Sequence, residues 1–157
     1  MKEVEFTSEL VILLLNQKLE GKSAPNIERA YKNFDETYPY RTQAERRFRT
    51  VMDCIDTNFG SYSPDFVFYK QTVIYVFFAA VYDLLFGLGS SISSTKSNQI
   101  TTEQISQIKL ASERIKMRTA PDHVLAASDR RTTNPKERRE LFDYLMQMVR
   151  EDGKANK

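Results

Sequence analysis

The sequence predicts an all-α fold, a single-domain helical bundle of about six helices. Three observations predict it. Apolar residues recur at three- and four-residue intervals in one segment after another, and no stretch alternates strictly between turns as a strand would. Glycine and proline number only five each, few for a β-rich chain. Ser, Thr or Asn stands ahead of several periodic runs, where a helix needs an acceptor for its free backbone N–H groups.

The first helix is expected from Thr7 or Ser8 through LVILLLNQKLE, with Gly21 ending it. Ser23 caps the second, which sets Ile27, Ala30, Tyr31 and Phe34 on one face. In the third, Thr42 and Glu45 have capping-box spacing, and Ala44, Phe48, Val51, Met52, Ile55 and Phe59 form a narrow stripe stopped by Gly60. Arg46, Arg47 and Arg49 fall off that stripe and read as a solvated flank. The fourth helix, about 66–86, is apolar around most of its circumference, as expected of an element enclosed by others. GLGSSISSTKSNQ then reads as a long, mobile connection. The fifth helix starts near Thr101 or Thr102 and turns Ile105, Ile108, Ser112 and Ile115 inward until Pro121 interrupts it. VLAA reads as a short turn. The sixth takes Asn134 as cap, Pro135 at its first position and Glu137 to complete a second capping box. Its buried face is Leu141, Phe142, Leu145, Met148 and Val149. The Gly/Ser loop thus precedes the last two helices, residues 1–150 make one domain, and 151–157 form a frayed tail.

Composition excludes several function classes. At 157 residues, 41% hydrophobic and 28% charged, the chain can bury one real core. Cys54 is its only cysteine, so no intrachain disulfide forms. One cysteine and one histidine also argue against a metal site of the usual zinc type, and no glycine-rich phosphate loop is present, so no cofactor is expected. The longest apolar run, Val73–Tyr82, is about half a membrane span and is closed by Asp83. Two acids among the first five residues do not suit a signal peptide. A cytoplasmic chain with no membrane partner is the expectation. Should the LVILLL segment be exposed, a homo-oligomer would bury it.

Residues 101–157 carry 12 basic and 9 acidic side chains, against 9 and 10 in residues 1–60, so an anionic partner should favour the C-terminal third. There Arg130, Arg131, Thr132, Lys136, Arg138 and Arg139 surround a helix N-terminus, whose free N–H groups and dipole attract anions such as phosphate. Cations at that end are disfavoured unless something negative is near. Arg138 falls on the apolar stripe of its helix. It therefore either snorkels at the stripe's end, pairs with a carboxylate from another helix, or meets a phosphate or acidic partner.

Arg118-Thr-Ala-Pro-Asp-His123 resembles the Arg-x4-His motif of HEPN-type helical ribonucleases. That resemblance implies that His123 handles a ribose proton and Arg118 stabilises phosphate charge. Pro121 inside the motif breaks the helix on which such a pair is normally set, and a surface histidine is the alternative.

Four blocks in order, FTSELVILLLNQKLEGKS, ERRFRTVMDCIDTNFG, FVFYKQTVIYVFFAAVYDLL and RRTTNPKERRELFDYLM, resemble the helical C-terminal half of GmrS-type proteins. These are the ParB-like, DGQQR-motif proteins of modification-dependent restriction and other anti-phage defence systems. The resemblance covers about residues 6–148 and implies a helical scaffold without the catalytic domain. This sequence has no DGQQR string, so no catalytic residue carries over. The expected partners are the DNA phosphate backbone or a catalytic partner domain, with the arginine-rich block as the contact surface.

Overall fold

A computed structural model describes residues 2–34, 38–61, 64–94, 96–130 and 133–151. Seven α-helices appear among them, and no strand: α1 Lys2–Asn16, α2 Ala24–Phe34, α3 Arg41–Phe59, α4 Ile74–Phe86, α5 Thr102–Lys116, α6 Asp122–Asp129 and α7 Pro135–Glu151. The all-helical expectation holds. None of these helices is long and apolar enough to cross a membrane.

Helix α4 is the axis of the bundle. Tyr75 through Tyr82 and Leu85 are all buried on it, with α1, α3 and α7 packed around it. Ala79 and Ala80 leave room for neighbouring helices to approach. Leu10, Ile12, Leu13 and Leu14 fill one side of the core, so most of LVILLL is used internally and only Val11 is exposed. At the opposite end Phe59, Phe66, Phe68 and Phe77 stack and meet edge to face, a geometry that suits the aromatic quadrupole.

The element boundaries differ from expectation in instructive ways. Helix α1 begins earlier and ends at Asn16, where Gln17 takes φ 55°. Gly21 is therefore no helix stop. It lies where the chain passes the first turn of α7, and a Cβ there would come within 2.8 Å of the Pro135 ring. The Thr42–Glu45 box does not form, because α3 starts at Arg41 after Tyr40 and has no side-chain cap. Glu45 pairs with Arg49 instead. The reciprocal box occurs at Thr101 and Gln104. Ser23 does cap its helix, accepting from the Asn26 N–H at 3.2 Å. The expected fourth helix is shorter: Val67–Tyr69 forms a 3-10 turn, held where the Val67 N–H donates to buried Ser112 Oγ. VLAA is not a turn but the body of α6, so the Gly/Ser loop precedes three helices rather than two. Glu151 ends α7, and the rest of the expected tail lies outside the described residues.

Candidate functional site

The corner where α6 meets α7 is set by local chemistry. Asn134 Oδ1 accepts from the Glu137 N–H at 3.0 Å, capping α7, and Pro135 takes the first helical position. Only half of the expected capping box is present. The Glu137 carboxylate is turned instead towards Arg130, 3.5 Å away. Arg130 closes α6, where a cation complements the helix dipole. Glu137 is the negative group in the first turn of α7 that offsets the cations gathered there.

Of the six residues read as a contact surface, three are exposed cations: Arg130, Lys136 and Arg139. Each faces a carboxylate at long range, Glu137 at 3.5 Å, Glu140 at 3.9 Å and Asp143 at 4.0 Å. The Lys136 and Arg139 pairs are of the surface kind that contributes about 0–1 kcal/mol each, so an incoming phosphate oxygen can replace them at little cost. Arg130 instead answers the buried carboxylate of Glu137. Arg131 and Thr132 lie outside the described residues.

Arg138 is different. It is 4% exposed, and its guanidinium points inward. One nitrogen donates to Glu9 Oε2 at 2.5 Å, another to the Glu20 carbonyl at 2.6 Å, and the group stacks 3.7 Å above the Tyr75 ring. Lys22 sits 3.5 Å from the other Glu9 oxygen and 3.2 Å from Glu5, while its backbone N–H donates to the Thr133 carbonyl. Arg138 thus ties α7 to α1 and to the turn beyond α1. A shallow recess among Glu9, Lys22, Asn26, Tyr75 and Arg138 has room for about one water molecule.

Arg118 and His123 are not brought together as a pair. Arg118 lies just past the end of α5 with φ 60° and grips both oxygens of Asp129 at 2.8 and 2.7 Å. His123 is exposed in the first turn of α6, with Pro121 as the residue before that helix. The two side chains stand on different elements, and Nη1 of the arginine alone holds both carboxylate oxygens of Asp129.

A further arginine lies where its charge would not place it. Arg47, expected on a solvated flank, is 1% exposed. It donates to Ser94 O at 2.9 Å through Nε, to Tyr82 Oη and Ser90 Oγ through Nη1, and to Ser91 O and Ser94 O through Nη2. The Phe86 ring lies 4.7 Å from its guanidinium carbon. Gln17 joins the same network, donating to Tyr82 Oη at 2.6 Å and accepting from the Gly89 N–H. Asp83 accepts from the Leu88 N–H, and Asn98 N–H donates to Leu85 O. The Gly/Ser segment is therefore tied to neighbouring residues at Leu88, Gly89, Ser90, Ser91, Ser94 and Asn98. Among the described residues no carboxylate pairs with Arg47, whose charge is met by carbonyl and hydroxyl dipoles.

Titration behaviour tracks burial. The hydroxyls of Tyr38, Tyr69, Tyr75 and Tyr144 and the Cys54 thiol are all pushed up, chiefly because burial disfavours their charged forms. Lys22 is also raised, first by its hydrogen bond to Glu5. Each raised group keeps its proton longer in the folded chain than in the unfolded one. Stability is thus full below the unfolded values and declines as pH climbs past them. Urea-unfolding midpoints should stay level up to about pH 8, begin to fall as pH passes the ordinary thiol range, and fall further towards about pH 11. A midpoint that rises over that interval would contradict this assignment.

No family model, curated protein or solved structure matches this chain.

Proposed function

We propose that this chain is a non-catalytic helical module of a defence-type protein, and that its α6–α7 corner contacts the phosphate backbone of DNA. The observation that carries the reading is the trio of exposed cations Arg130, Lys136 and Arg139 beside a capped helix N-terminus, with Lys136 and Arg139 on long, exchangeable ion pairs. The resemblance to the helical half of GmrS-type proteins supports the same role. Lys and Arg on flexible stems neutralise phosphates without reading bases, so binding is weak, salt-dependent and nearly indifferent to sequence.

The test is a salt titration of binding to a mixed-sequence DNA duplex. The triple variant Arg130→Ala, Lys136→Ala, Arg139→Ala should flatten the slope of log affinity against log salt by about 3, roughly one for each lost phosphate contact. Lys136→Ala and Arg139→Ala remove only weak surface pairs and should leave the melting temperature near that of the parent. Arg130→Ala strips the buried Glu137 carboxylate of its cation and should lower it. An affinity that ignores salt, or a slope unchanged in the triple variant, removes DNA from the reading. The absence of chemistry is tested separately on RNA. Cleavage by the purified chain that disappears in His123→Ala would replace this proposal with the ribonuclease one.

A further inference from the structure

We infer that Glu137 is an internal competitor for phosphate at the α6–α7 corner, an anchored acid that holds Arg130 until a DNA phosphate draws it away. This rests on the DNA reading above and adds to it the residue that limits its affinity.

Two acids are buried among the described residues, Glu9 and Glu137. They are answered differently. Glu9 meets the enclosed guanidinium of Arg138 and, from its other oxygen, Lys22. Glu137 meets Arg130 at 3.5 Å, and that arginine's side chain is 72% exposed. The carboxylate cannot follow its partner outward. Glu137 sits in the first turn of α7, where its backbone N–H is held by Asn134 Oδ1. Arg130 stands past the end of α6 in extended backbone. One half of the pair is anchored, and the other can swing into solvent.

This asymmetry makes the three cations of the corner unequal. When Lys136 or Arg139 turns to a phosphate, it leaves behind half-buried Glu140 or exposed Asp143, which water still reaches. Little is lost. When Arg130 turns, Glu137 stays buried without a cation, and a stranded charge is the costly half of a broken pair. The N-terminal dipole of α7 softens that cost without removing it. Part of the attraction between Arg130 and phosphate is therefore offset, and DNA is held less tightly than three unopposed cations would hold it.

Such competition differs from general repulsion between an acid and DNA. Neutralising any carboxylate at the corner lowers repulsion, and Glu140 is the matching control, since it lies on the same helix and pairs with Lys136. Neutralising Glu137 does this and also releases Arg130. Glutamine keeps the length of the side chain and suits the third position of a helix.

The test measures binding of the full chain to a mixed-sequence DNA duplex across a salt series, for the parent, Glu137→Gln and Glu140→Gln. Glu137→Gln should bind about tenfold more tightly than the parent, and Glu140→Gln within about threefold of it. Each variant loses one negative charge, so the difference between them belongs to Arg130. Placed on Arg130→Ala, the gain from Glu137→Gln should shrink to that of Glu140→Gln. A second measurement needs no DNA. Arg130→Ala should lower the melting temperature of the parent but not of Glu137→Gln, where no buried carboxylate is stranded. Salt-dependent binding by the parent, with Glu137→Gln no tighter than Glu140→Gln, keeps the DNA reading and overturns the competitor alone. No salt-dependent binding by any of these proteins removes both. Melting temperatures that fall equally in the two backgrounds would also overturn the competitor, because Arg130 would then not be answering Glu137.

Discussion

Arg138→Ala should cost about 3 kcal/mol of folding stability, the lower end of the usual penalty for removing one partner of a buried ion pair. The loss comes less from the missing contact than from the acid left behind. Glu9 is only 7% exposed, and without the guanidinium its Oε2 loses a 2.5 Å partner. Lys22, 3.5 Å from Oε1, keeps the loss from reaching the upper end of the range. Arg138→Lys should recover only part, because an ammonium cannot hold the Glu9 carboxylate and the Glu20 carbonyl while lying flat on Tyr75. The double variant Glu9→Leu, Arg138→Met removes both charges together and should return close to the parent. Urea unfolding of the four proteins measures this. A single variant that loses under about 1 kcal/mol would mean the pair is not enclosed as described. The same variants separate structure from binding, since Arg138 points inward and its loss should leave the salt slope on DNA unchanged.

Arg47→Ala is expected to cost about 3 kcal/mol as well, by a different route. It vacates core volume and strips donors from the carbonyls of Ser91 and Ser94 and from the Tyr82 hydroxyl. Arg47→Met refills most of the volume and relieves the burial of a charge that has no carboxylate beside it, so its stability should lie within about 1.5 kcal/mol of the parent. The two substitutions share one further effect. In both, the amides of Gly89 and its neighbours should exchange with deuterium faster, while those of α4 keep their protection in the methionine variant. Exchange in the segment that stays slow in Arg47→Met would show that Gln17 and Asp83 hold it without help.

Much of the fold is legible in the sequence because periodicity and capping are local. Ser23, Thr101 and Asn134 each sit where a helix begins. The parts that are not legible depend on partners far along the chain. Arg47 lies about 40° from Val51 on the wheel of α3, at the edge of the buried arc, while Met52 falls off the opposite edge and is exposed. Charge and hydropathy assign those two residues the other way round. The carbonyls of Ser91 and Ser94, 44 and 47 residues away, together with the hydroxyls of Tyr82 and Ser90, make the interior hospitable to the cation. Thr42 and Glu45 have the spacing of a capping box, but the helix has already begun at Arg41. Pro121 reads as a break in structure, whereas a proline is tolerated at the threshold of a helix, and α6 starts directly after it. At the candidate corner, the place of Arg138 on its stripe narrows its surroundings to a few alternatives. Which carboxylate answers it cannot be read from the helix that carries it.

Glu9 and Arg138 are 129 positions apart. On a ribosome, the acid is therefore made long before its cation, and the leucines of α1 can meet α3 and α4 while that carboxylate still needs water. The first helix stays unfastened until the last one has left the exit tunnel. Nascent chains stalled before α7 should accordingly be protease-sensitive at their N-terminal end, and become resistant only once Arg138 has emerged from the tunnel.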